Sequence, residues 1–187
     1  MSGELRTDDG KPIAGWVLRA DPAVFDVDAM ISEYGQVYRF PVAAGPRAHL
    51  MDAGQPCFLF AGAGGGRGIY AVGEVVAPTT TITLDGTLPD GTVEEEVQLY
   101  AEVELLPIEP PMRVAEMESH RVLSKGELLT NPGQDNPIVL RPEEVRALEE
   151  FEFFVIEPTD DQVARLQDVL ADDGPIFQLA GVDRTFG

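Results

Sequence analysis

Residues 57–77 read CFLFAGAGGGRGIYAVGEVVA, and this stretch decides the fold class. Cys57 to Ala61 is a short, continuous apolar run of the kind that forms a buried strand. AGAGGGRG follows as a loop. Ile69 to Ala77 is then a second strand, with Gly73 inside it marking a bulge. Outward from this pair, Ile13 to Arg19 (IAGWVLR) is apolar and bounded by Pro12 and Pro22, which predicts another strand. Gln36 to Val42 (QVYRFPV) is a further strand that Pro41 confines to an edge or a bulge. Residues 43–56 are irregular. Val97 to Leu106 alternates through Leu99, Ala101, Val103 and Leu105, the pattern of a half-exposed antiparallel strand. Between these strands the Asp-Gly pairs of LDGTLPDGTVEEE predict turns within a long polar excursion.

Helices fill in around the strands. Asp26 occupies an N-cap position, and Val27, Met30, Ile31 and Tyr34 follow at helical spacing up to Gly35. Val114 to Met117 is short and helical. Pro142 opens a helix with Val145, Leu148 and Phe151 on one stripe. Asp160 caps a last helix with Val163, Leu166, Val169 and Leu170 on one face, stopped by Gly174-Pro175. There is no internal repeat. Strands in the majority with helices at the periphery predict an α+β fold: a curled mixed sheet or open β-barrel of five to six strands. Residues 1–12 read as a flexible lead and 13–151 as one domain. Residues 152–187 read as an extension packed on it, because Phe151, Phe153, Phe154, Val155 and Ile156 are too apolar to lie in water.

The chain has 187 residues and carries a formal charge of −20. Such a surface repels duplex nucleic acid and anionic lipid, so general backbone-tracking DNA binding is disfavoured. The acidity is uneven: residues 1–76 sum to −3 and residues 77–187 to −17. A site built from the first half need not feel all of the repulsion. No apolar run approaches a membrane span, the N-terminus lacks a secretory h-region, and Cys57 is the only cysteine. These point to a cytoplasmic, non-membrane protein without disulfides.

Catalytic and metal motifs are absent. The Gly64–Gly68 run lacks a following Lys-Ser/Thr pair and reads as a hairpin loop rather than a phosphate loop. His49 and His120 are distant in sequence, and Cys57 sits inside CFLF as a small buried side chain. Glu94-Glu95-Glu96 reads as a solvated acidic face. No enzyme, metal or cofactor is implied.

Four stretches carry a resemblance. They are Gly15–Pro22 (GWVLRADP) with Phe25–Asp28, Val37–Pro41 (VYRFP), and Ala53-Gly54-Gln55 before CFLFAGAG with Gly68–Val76. The fourth is Ser119–Lys125 (SHRVLSK) with Asn131-Pro132, Leu140, Pro142-Glu143-Glu144 and Ala147-Leu148. In this order they resemble the EVE domain, a PUA-like module related to YTH domains, over residues 13–151. The resemblance implies a non-enzymatic reader whose barrel pocket takes a flipped, modified nucleobase, a nucleotide or single-stranded nucleic acid between aromatic walls. It implies walls from Trp16, Arg19, Tyr38, Arg39 and Phe60. Arg39 stands where many such domains place Trp, and its flat guanidinium would stack while adding positive charge. Each wall has a second reading: Trp16, Tyr38 and Phe60 as core residues, Arg39 as an edge residue facing water. The alternative for the whole chain is a degenerate PUA-like domain acting as an acidic adaptor for a basic protein partner.

Overall fold

The computed structural model describes residues 5–171 apart from positions 22, 24 and 63–65. It is a mixed α+β protein built on an open, unclosed sheet. The strands are β1 (Gly15–Arg19), β2 (Val37–Val42), β3 (Pro56–Ala61), β4 (Gly68–Thr87), β5 (Val93–Arg113), β6 (Ile138–Leu140) and β7 (Phe154–Val155). The sheet runs β2-β5-β4-β3-β1-β6, and β7 pairs with β5 off that path. β1 and β3 are parallel, whereas the other pairs are antiparallel. The helices are α1 (Val27–Tyr34), α2 (Val114–Ser119), α3 (Glu127–Thr130), α4 (Pro142–Glu149) and α5 (Asp160–Ala171). Asp26 caps α1 by accepting from Ala29 N, as the sequence pattern predicts.

Alternation along the strands sends side chains to two cores. Trp16, Leu18, Leu59, Val75, Phe40 and Val103 belong to one. Val17, Phe58, Phe60, Ile69, Met112 and Leu148 belong to the other. The sheet is therefore covered on both faces, and α4 closes the second.

The expected polar excursion is instead a hairpin arm. β4 and β5 stay paired from Gly68↔Arg113 out to Thr87↔Val93. Only Pro89-Asp90-Gly91 turns, with Leu88 N donating to Thr92 O at 2.8 Å and Gly91 at φ +82°. Asp85-Gly86 lies within the strand because threonines and alternating residues extend the pairing past the first Asp-Gly. Gly73 marks no bulge. The register shifts flank it, between Ile69 and Ala71 and again between Val75 and Thr80. Gly73 is required by close approach instead, since a Cβ there would collide with the Glu104 carbonyl of β5.

Residues 5–12, expected to be a flexible lead, form a hydrogen-bonded turn: Thr7 N donates to Lys11 O at 2.9 Å and Ile13 N to Leu5 O at 2.8 Å. In the extension, α5 rests on α1. Leu166 is buried and Arg165 Nε donates to Glu33 O at 3.0 Å. The expected stop at Gly174-Pro175 lies outside the described residues. The Phe151–Ile156 run is buried only in part. Phe151 and Phe153 pack on the second core, but Phe154 is 81% exposed and Val155 and Ile156 face solvent. Phe153 packs inward just before β7, and its neighbour Phe154 at the start of that strand points the opposite way.

Replacing Gly73 by Ala should destabilise the chain by about 1–3 kcal/mol through overpacking against β5. Urea denaturation checks this, and an unchanged midpoint would contradict the close approach.

Candidate functional site

The five residues expected to wall one pocket do not converge. Trp16 is fully buried in the first core, and its Nε1 donates to Gln55 Oε1 at 2.6 Å. Phe60 packs in the second core on the other face of the sheet. Tyr38 is buried beside Tyr34, with ring centroids 5.4 Å apart. Arg39 faces Glu102 across β2 and β5, its Nε 2.7 Å from Glu102 Oε1. The Thr80 hydroxyl donates to the same carboxylate. The register thus consumes the Arg39 charge in a largely buried pair, and the expected ligand wall is a cross-strand tie.

Arg19 has a different task. Its guanidinium donates to Pro132 O (2.6 Å), Gln134 O (3.4 Å) and Leu128 O (2.8 Å), which pins α3 and the segment after it to the end of β1. Burial lowers its pKa, Glu127 opposes that, and Arg67 adds to it. Asn136 completes the clasp: its Oδ1 accepts from Arg19 N at 2.7 Å and its Nδ2 donates to Arg19 O at 2.8 Å. The amide side chain pairs with the backbone as a neighbouring strand would.

This clasp borders an open cleft of about 310 Å³ at the ends of β1 and β2. Phe25, Phe40, Pro41, Val42 and Leu99 supply apolar wall, while Arg19, Asp21, Gln98 and Asn136 supply polar edge. Phe25 and Phe40 contact each other at 4.8 Å between centroids. Gln98 Nε2 donates to Val42 O (3.1 Å) and Leu99 O (2.8 Å), so the base of the arm is tied to the end of β2. Apolar walls with a few polar groups suit a small flat ligand. Of the expected residues only Arg19 lines this cleft. Phe25, Phe40 and Asn136 were missed as site residues, although Phe25 and Phe40 lie within stretches that carry the resemblance. The available signal is alternation: on β2, Phe40 falls on the face opposite Arg39.

Nucleophilic chemistry finds no support at Cys57, which is fully buried; burial pushes its thiol pKa up and keeps it protonated. His120 caps backbone, its Nδ1 accepting from Val122 N at 3.2 Å. Among the described residues no group of three or more His, Cys, Asp or Glu could hold a metal ion. No helix among them is long and apolar enough to cross a membrane. Of the glycine run, Gly64 and Gly65 lie outside the described residues, while β3 and β4 on either side pair antiparallel with Ala61 opposite Gly68.

No family model matches the chain, and no curated protein matches it. Two solved structures are similar in backbone. One is the NMR structure of Rpa0253 from Rhodopseudomonas palustris, at 17% identity over 72% of this chain and 90% of that one, with a TM-score of 0.48. The other is the crystal structure of PSPTO5229 from Pseudomonas syringae, at 14% identity over 73% of this chain and 97% of that one, with a TM-score of 0.47.

Two outcomes follow from these placements. Arg39→Ala leaves Glu102 without its cation and should cost about 1–3 kcal/mol in urea denaturation, against near zero for a solvent-facing arginine. Burial pushes the Tyr38 phenol up to about 12, with Tyr34 and Glu102 adding to the shift and Arg39 opposing it. A phenol held neutral in the fold contributes stability that is present below about pH 10 and lost as pH rises through about 12. Tyr38→Phe should therefore flatten the loss of stability across that alkaline window, and an unchanged slope would contradict its burial.

Proposed function

We propose that this chain is a non-enzymatic binding module of EVE-like, PUA-like type that takes a flat, unpaired nucleobase or nucleotide in the cleft at the ends of β1 and β2. The observation that carries the reading is the cleft itself. The half-buried Pro41 and Leu99 offer apolar surface at its mouth, backed by the buried pair Phe25 and Phe40. Asp21 and Asn136 stand at its edge, where they can meet the polar rim of a heterocycle. A methyl group on the base adds apolar area that such walls favour. The base must be unpaired, because stacking in a cleft requires it to leave its duplex neighbours.

A second reading, an adaptor for a basic partner, draws on the arm. Beyond Val75 on β4 and Leu99 on β5, those strands pair in the sheet only with each other. Glu94, Glu95 and Glu96 are exposed there, beside Val93 and Val97 at 63% exposure each. A two-stranded ribbon of this kind is marginal in water without a partner.

Calorimetric titration separates the readings. The base-binding reading expects a methylated or unmodified nucleoside, nucleotide or short single strand to bind with a dissociation constant below about 1 mM. Ala44→Trp, which fills the cleft from its exposed rim, should weaken that binding by about tenfold or more. Failure of all these ligands to bind at about 1 mM overturns the reading. Binding of a lysine-rich peptide that disappears when residues 80–98 are replaced by a two-residue turn would favour the adaptor.

A further inference from the structure

We propose a second site, for a phosphate group carrying two or more negative charges, in the cleft of about 400 Å³ between the N-terminal turn, α3 and the start of α4. Lys11, Arg47, Lys125 and Arg141 line it, and they come from four separate segments of the chain. Four of the 13 lysines and arginines reach this one cavity, but only two of the 33 acidic residues do. The lining of the cleft thus departs from the acidic balance of the whole molecule.

Its two carboxylates are already committed. Glu127 holds Arg47 through two bonds, at 2.8 and 2.9 Å, and accepts from Val139 N at 3.2 Å. Glu144, whose side chain is only 3% exposed, accepts from Arg141 N at 3.0 Å and Arg141 Nε at 2.9 Å. These carboxylates act as struts that fix two guanidinium planes at the cavity wall. Gly126 admits one of them, since a Cβ at that position would collide with the Glu144 carboxylate.

The lysines remain addressable. Lys11 meets Asp9 at 2.7 Å in a pair with both side chains more than half exposed, a surface contact that an incoming anion displaces at little cost. Lys125 is exposed and forms no ion pair with a described residue. Arg141 also meets Glu143 at 3.1 Å, on the exposed side.

Size selects the ligand class. Screening limits the reach of the acidic surface to about 8 Å at physiological salt, so a compact dianion inside the cleft responds mainly to the four cations around it and to the carboxylates paired with them. A long polyanion would extend over the acidic surface. The geometry favours a phosphate monoester, diphosphate or free pyrophosphate. This cleft shares no lining residue with the base cleft, so the inference stands apart from the proposed function.

Titration of inorganic pyrophosphate and of a nucleoside diphosphate into the full chain at low ionic strength tests it. Binding is expected to weaken with added salt, and by about tenfold or more in the Lys11→Glu, Lys125→Glu double variant, whose changes lie on exposed side chains. Ala44→Trp should leave pyrophosphate binding intact. A nucleoside diphosphate that binds more tightly than pyrophosphate identifies a nucleotide as the source of the phosphate, and equal affinities identify the free anion. The proposal is overturned if neither ligand binds at about 10 mM, if the double variant binds unchanged, or if Ala44→Trp abolishes pyrophosphate binding.

Discussion

The pairing of β4 with β5 is the constraint on which the rest depends. Both strands lie inside the sheet, between β3 and β2, so their register sets the position of every strand outward from them. Gly73 lets the two backbones pass closely, and the register shifts between Val75 and Thr80 re-aim the pair before it leaves the sheet as an arm. On its other side β5 pairs with β2, and that register brings Glu102 opposite Arg39 and Leu99 opposite Val42. One consequence is an ion pair where a free arginine was expected. The other is the apolar floor of the cleft at the ends of β1 and β2.

Electrostatics acts locally in this acidic chain. Arg39, Arg47 and Arg141 each meet a carboxylate with little exposure, and in each case the pair fixes backbone or cleft geometry. Arg19 instead spends its donors on three carbonyl oxygens of α3 and the segment that follows it. That stretch, from α3 to Asn136, lies between the two clefts, with Asn136 lining one and Thr130 and Asn131 the other. A total charge of −20 therefore describes solubility and long-range repulsion, and leaves each cleft with its own balance.

Much of the architecture was legible because apolar periodicity reports burial directly. The strands around Trp16, Phe58 and Val103 and the helices α1, α2, α4 and α5 follow from it. The arm was not legible, since Asp85-Gly86 carries a turn signal that pairing with Glu94 and Glu95 overrides. The expected pocket failed for a related reason. Neighbouring residues on a strand point to opposite faces, so Trp16, Arg39 and Phe60 could share a wall only with a particular register and curvature. Those depend on long-range pairing, as does the partner that neutralises Arg39. The 9% exposure of Glu102 could not be read from a sequence crowded with glutamates. Arg19 lines a cleft and braces it, a role hidden from the sequence because the carbonyls that it holds lie more than 100 positions away.

Mapping backbone amide chemical shifts during titration of a methylated nucleoside tests the central claim most directly. If the cleft at the ends of β1 and β2 receives the base, the shifts should concentrate on Arg19, Phe40, Val42 to Ala44, Leu99 and Asn136. Arg39, Trp16 and Phe60, placed in the sheet and its cores, should move little. Saturable shifts centred on those three, with the cleft residues silent, would contradict the account.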